Sequence, residues 1–435
     1  CAIDKGELNM ALAPIPRYSA MGLSLISFEK LPSGVTTKVV PLKAEDRGES
    51  KGVLYSKGGE KTVVCLMHPR ADMSRHYAIP YLLDAGYAAF GQEGRWPNND
   101  IACLHEMLLP DIAASIKYLK EDCGFDKVVF VGNSGGGSLY TFYQAQAVTE
   151  PPHRLTHTPA GDAYDLNQFE LPPADGMIII AAHLGEGKFM QLAIDPSVTN
   201  EDDPLSCDPE LDMYNPENGF CEPPEPSTYH AVFIQRYRAA QTARVARIDA
   251  IARGYIEEQH YFRSLTVQDN FDGLPFAQRT FISRRALAGR YMEIHRTEAN
   301  LAYTDPSINP SSRDYGSLWS PRPDLFNYVE AGFAKYQTPR AWLSNWSGLS
   351  AFAAVLDNIL KVTIPTLIVN HTGDHVIYPA DAAEVFRCSP AADKQLHEVD
   401  ADHFGYHLPS KPEAGGRDAS LKIITEWLRE RFPAA

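Results

Sequence analysis

A serine set among glycines is where chemistry first becomes legible in this sequence. The run Val131-Gly132-Asn133-Ser134-Gly135-Gly136-Gly137 follows a Val-rich apolar stretch at 127–131 and opens a segment with helical spacing. A serine hydroxyl is a weak nucleophile until it is exposed, aligned with a base and set near backbone donors. A sharp turn from strand into helix supplies all three, but it strains and crowds the backbone. Glycines two residues before and after the serine relieve the crowding because they carry no Cβ; Gly132 and Gly136 occupy those places. A phosphate-cradling loop is the competing use of such a run. No Lys-Ser or Lys-Thr pair follows and no ribose-binding pattern accompanies it, so the nucleophile reading is preferred. Ser138 is the nearest alternative hydroxyl and falls inside the expected helix.

Such a serine needs an acid and a histidine, arriving in that order along the chain. A strand-like run at 363–370 leads into Asn370-His371-Thr372-Gly373-Asp374-His375, and the loop beyond the strand makes Asp374 the candidate acid. Its plainer reading is a turn residue, a common role for Asp. The next strand-like run, 395–399, is followed by Asp400-Ala401-Asp402-His403-Phe404, so His403 is the first histidine beyond it. His407 is the runner-up, His397 falls within the strand, and Glu384 and Asp402 are weaker acids. In this arrangement His403 removes the Ser134 proton, while Asp374 sets the imidazole tautomer and stabilises its cation. The developing oxyanion needs donors. One is the amide of Gly135; the other is expected from the amide of Arg70 in Met67-His68-Pro69-Arg70, because Pro69 has none. His68 reads as a loop-anchoring residue. The Arg70 guanidinium could meet an acidic substrate group or simply face solvent or an ion-pair partner.

Positioning these groups requires a sheet. Short β-rich runs at 37–42, 52–56 and 62–67 precede a helical pattern at 77–85, an apolar run at 87–90, a helix at 109–118 and apolar runs at 127–131 and 177–182. Continuous apolar runs alternating with helices indicate a mostly parallel sheet covered on both faces. The pattern breaks after about residue 184. Residues 194–228 are crowded with Asp, Glu, Pro and Asn, a long helix follows with Arg residues assigned to a solvated face, and a second helix is expected over 278–300. Alternation resumes at 363 and ends in a helix over 421–432. The organisation expected is a catalytic core over 1–188 and 356–435 with a cap, or lid, inserted at 189–355. Arg340, Trp342 and Trp346 from the cap, and Arg95 and Trp96 from the core, are the candidates for contacting substrate. Tyr237, Tyr255, Tyr261 and Phe262 more simply fill the cap's own core.

Acidic side chains outnumber basic ones 55 to 40, for a formal net charge of -15. That balance argues against nucleic acid or an anionic membrane as partner, since both reward clustered Lys and Arg. No apolar run approaches the ~20 residues of a membrane span. The seven cysteines show no C-x-x-C spacing, which argues against a zinc site or redox motif. Free thiols in the cytoplasm are the default, with Cys207 and Cys221 the pair an oxidising compartment would join. A lipid-bearing Cys1 on an exported protein is the alternative location. A homodimer is left open.

Taken together, the His68-Pro69 turn, Gly132-Asn133-Ser134-Gly135-Gly136, Gly373-Asp374-His375-Val376 and Asp402-His403-Phe404 resemble the α/β-hydrolase superfamily in order and strand position. Pro69 departs from the glycine many members carry, which bears on the shape of the oxyanion hole. The resemblance implies an α/β-hydrolase fold, a serine esterase or lactonase, and no cofactor or metal. With an aromatic cap, the expected substrate is a carboxylic ester or lactone of a bulky, partly aromatic small molecule, cleaved through a Ser134 acyl-enzyme. The alternatives are a C–C bond hydrolase or acyltransferase using the same triad, and a non-catalytic binding protein on the same scaffold.

Overall fold

The computed structural model describes residues 26–97, 99, 101–413 and 415–435; Cys1 lies outside them. The antiparallel pair β1 (Thr36–Lys43) and β2 (Glu49–Ser56) leads into β3 (Thr62–Met67), β4 (Ala88–Glu93), β5 (Lys127–Asn133) and β6 (Gly176–Ile180). A separate two-stranded ribbon joins β7 (Met292–Glu293) to β8 (Tyr336–Gln337), and β9 (Thr366–His371) and β10 (Lys394–Val399) return to the main sheet. Its order is β1-β2-β4-β3-β5-β6-β9-β10, parallel from β4 through β10 and antiparallel where β2 meets β1 and β4.

The central strands are apolar throughout because both faces are covered. Side chains alternate between two cores, as the two-residue period of a strand requires. Val63, Cys65, Val128, Phe130, Met177, Ile179 and Ile368 face one way. There they meet the helices α2 (His105–Lys117) and α3 (Gly135–Ala147), with Phe130 stacked 3.9 Å from Tyr140. Val64, Leu66, Val129, Val131, Ile178, Ile180, Leu367 and Val369 face the other way, against α1 (Ala78–Asp84) and the last helix, α8 (Gly416–Arg431). The helix α7 (Pro379–Cys388) covers the first face beside β9.

Between β6 and β9 the chain adds no strand to this sheet. After α4 (Glu186–Ala193), the expected irregular stretch is present, followed by α5 (Ala231–Thr266) and α6 (Phe276–Leu287). The second helix is shorter than expected. It ends at Leu287, before Gly289, and residues 292–293 pair as β7 instead; glycine is a poor helix former, and the ribbon offers those backbone groups another partner. The expected solvated Arg face of α5 also needs correction. Arg244 is buried, donating to Glu201 and to the carbonyls of Asp195 and His295. It shares the inward stripe of Tyr237, Gln241, Val245, Ile248 and Ala252, which recurs at helical spacing. Cys207 and Cys221 are exposed, unpaired thiols. Among the described residues no helix is long and apolar enough to cross a membrane.

Ile178 is fully buried in β6, between β5 and β9. Ile178→Ala should lower unfolding stability by about 2–5 kcal/mol through lost burial and the cavity left behind, measured as a reduced urea midpoint with unchanged slope.

Candidate active site

β5 ends in the turn that carries Ser134, and the backbone there is strained. Ser134 has φ 54° and ψ −125°, a region that non-glycine residues seldom occupy. Its amide is tied to the carbonyls of Ile180 and Ala181 at 3.2 and 3.1 Å, while the Asn133 side chain bonds the Ile180 carbonyl at 3.1 Å. The glycines are required by approach. A Cβ on Gly132 would lie 2.6 Å from the Gly137 Cα, and one on Gly136 would lie 2.4 Å from the Met67 carbonyl oxygen. Gly135 begins α3, so its amide has no acceptor one turn back within the helix.

The parallel strands bring the other groups to the same sheet edge. Asp374 follows β9 and His403 follows β10. His403 Nδ1 and Asp374 Oδ2 are 2.7 Å apart, and both residues are buried. Asp374 Oδ1 accepts from the amides of Val376 and Ile377 at 2.7 and 3.2 Å. Burial alone would raise the Asp374 carboxyl, yet His403 and these amides hold it below its ordinary value. Burial likewise pushes His403 down, but the Asp374 charge and hydrogen bond, with Asp402, leave it above 6.5. The other histidines near this edge are engaged elsewhere: His371 with Ser420 and the Asp402 carbonyl, and His375 with the Asp314 carbonyl. His407 is exposed against Gly416.

Ser134 and His403 line one cavity of about 50 Å³, together with His68, Arg70, Met73, Leu318, Trp319, Phe333 and Phe404. No hydrogen bond joins Ser134 Oγ to His403.

No protein-family model matches the chain, and no curated protein matches it by sequence. Among solved structures, it is similar to an esterase of Pyrococcus furiosus (11% identity over 93% of this chain and 97% of that one, TM-score 0.42). It is also similar to a carboxyl esterase of the fungus Tuber melanosporum (12% identity, 93% and 89% covered, TM-score 0.41). A third is an α/β hydrolase of a Penicillium species (10% identity, 91% and 99% covered, TM-score 0.45). The chain's own topology decides the architecture: a mostly parallel eight-stranded sheet, helices on both faces, and a strand–turn–helix with a positive-φ serine at the strand's C-terminal end. The chain has the α/β-hydrolase fold.

His68 anchors its loop, as expected. Its Nδ1 accepts from the amides of Arg70 and Ala71, each at 3.1 Å. Burial first, then the charges of Arg70 and the neighbouring histidines, hold it well below 6.5, so the ring is neutral and its proton sits on Nε2. That nitrogen is 2.9 Å from where a Gly135 Cβ would stand. The Arg70 amide, expected to face the oxyanion, is therefore spent on His68 instead. The signal available in the sequence was Pro69, which leaves the loop one amide short.

The expected substrate contacts are redistributed. Arg95 is paired with Asp46 and Asp111, and Trp96 packs beside it in the core. Arg340 is paired with Asp162 and Gln259. Trp342 is buried and donates to Asp249 at 2.7 Å. None of these four lines the cavity that holds Ser134. Trp346 reaches the site indirectly, its ring 4.6 Å from the Arg70 guanidinium. Leu318, Trp319 and Phe333, which the sequence did not single out as site residues, close the cavity instead. The aromatic side chains that suggested a bulky substrate mostly fill the insertion's own cores. Ser138 is buried, bonded to the Gly135 carbonyl and to Glu186.

The coupling between Asp374 and His403 has a measurable sign. Because the raised His403 depends on Asp374, Asp374→Asn should let burial prevail and move the imidazole below 6.5. Histidine titration by NMR should show the native ring losing its proton above that value and the variant ring below it.

Proposed function

We infer that the protein is a serine hydrolase cleaving a carboxylic ester or lactone through an acyl-enzyme on Ser134. One observation carries this reading: a positive-φ serine opens onto the same cavity as a histidine held at 2.7 Å by a buried aspartate. In the first step His403 Nε2 takes the Ser134 proton as Oγ attacks the carbonyl. Asp374 holds the ring through Nδ1 and stabilises the imidazolium. The oxyanion is taken by the Gly135 amide and the Nε2–H of His68, two donors fixed before substrate arrives. His403 returns the proton to the leaving oxygen, then activates water against the acyl-enzyme. Residues 189–355 serve as the cap over a core formed by the rest, with Leu318, Trp319 and Phe333 as the roof. The cavity favours a short acyl group.

A fluorophosphonate probe should label the native protein and not Ser134→Ala, and kcat/KM on short-chain esters should fall at least ~10³-fold in that variant. An unlabelled native protein would count against catalysis altogether. With active enzyme, kcat/KM should rise with pH as His403 loses its proton, with a midpoint above 6.5. His68→Ala should lower kcat by roughly 10²–10³-fold with little change in KM, the signature of a lost oxyanion donor; a native kcat would remove His68 from the mechanism.

A further inference from the structure

Arg70 brings a permanent charge into the cavity beside Ser134, since a guanidinium stays protonated in proteins. It is only 5% exposed. Its guanidinium carbon lies 4.6 Å from the centre of the Trp346 ring and 5.3 Å from that of Phe333. Nε and Nη1 are buried without a hydrogen-bond partner. No carboxylate pairs with it among the described residues. Glu186, the buried acid next to the turn, accepts through Oε2 from Ser138 at 3.0 Å, and its Oε1 is buried without a hydrogen-bond partner. A buried cation without a counter-charge is destabilising, and contact with aromatic rings offsets only part of that. The rings restrain the guanidinium and leave its N–H donors open. Either nitrogen, taken with Nη2, forms a planar fork that matches the two oxygens of a carboxylate.

The geometry points to a substrate that carries a free carboxylate, held by Arg70 a few bonds from the carbonyl that Ser134 attacks: a half-ester of a short dicarboxylic acid. A planar carboxylate on a short chain also makes the least demand on a cavity of about 50 Å³. The inference rests on the Ser134 acyl-enzyme and names its acyl group. The ester C–O bond breaks, the alcohol leaves with the proton from His403, and water releases the acyl group as the free diacid. No other reactant is consumed.

The test compares monoethyl succinate with its neutral isostere ethyl succinamate, followed by pH-stat. The native protein should prefer the half-ester in kcat/KM by roughly 100-fold, the scale of a desolvated charge pair. In Arg70→Met the ratio should fall to near one, with Arg70→Lys between. A second readout needs no turnover: succinate should protect Ser134 from the fluorophosphonate probe and succinamide should not. Equal hydrolysis of the two esters with equal protection by the two additives overturns the inference, and these native-protein comparisons decide even where Arg70→Met fails to fold. A preference that survives intact in a folded Arg70→Met overturns it too, as does an equal loss on both esters. Failure of the probe to label the native protein is a different result: it removes the acyl-enzyme itself.

Discussion

The site depends on the close approach of the Ser134 turn to the end of β3. The Met67 carbonyl oxygen sits 2.4 Å from where a Gly136 side chain would begin, and the Gly137 Cα sits 2.6 Å from the corresponding point on Gly132. Only hydrogen fits at either place. This contact turns a buried strand into a platform: it forces Ser134 to positive φ and starts α3 at once. It also sets the loop after β3, with His68 and Arg70, against the amide of Gly135. Every group named in the mechanism is referred to this junction, and the parallel sheet supplies the rest by ending β5, β9 and β10 at one edge.

Around the junction, charge is rationed by burial. Asp374 and His403 neutralise each other, with two amides completing the carboxylate's shell. His68, His105 and His183 are all held below their ordinary values, burial being the first cause in each. Neutral rings can donate and accept without adding charge. Glu106 is pushed up to about 7 by burial despite accepting from Ser344. Arg70 is the exception, a guanidinium in the same cavity as Ser134.

The insertion is joined to the core through polar contacts as well as apolar packing. Ser344 accepts from the His105 amide and donates to Glu106, and Asn345 donates to the Cys103 carbonyl. Val376 and Ile377, from the loop that carries Asp374, pack in the same cluster as Trp342 and Trp346. The roof of the cavity is thereby braced against both the start of α2 and the acid loop.

Much of this was legible along the chain. The strand runs, the helix after Ser134, and the order of Ser134, Asp374 and His403 follow from patterns within a few residues, since period, turn chemistry and glycine placement are local properties. That locality also explains what was misread. Arg95, Arg340 and Trp342 looked available because their partners Asp46, Asp162 and Asp249 are 49, 178 and 93 residues away, and nothing in sequence announces a distant carboxylate. His68 anchors its loop as read, but that two amides set its proton on the nitrogen facing Gly135 was not visible in the sequence. The sequence by itself determined the sheet, the nucleophile turn and the residue types at its edge. Only the tertiary structure decided which of those side chains are satisfied elsewhere and which are left facing Ser134, because pairing depends on distances that the chain sets only once it has folded.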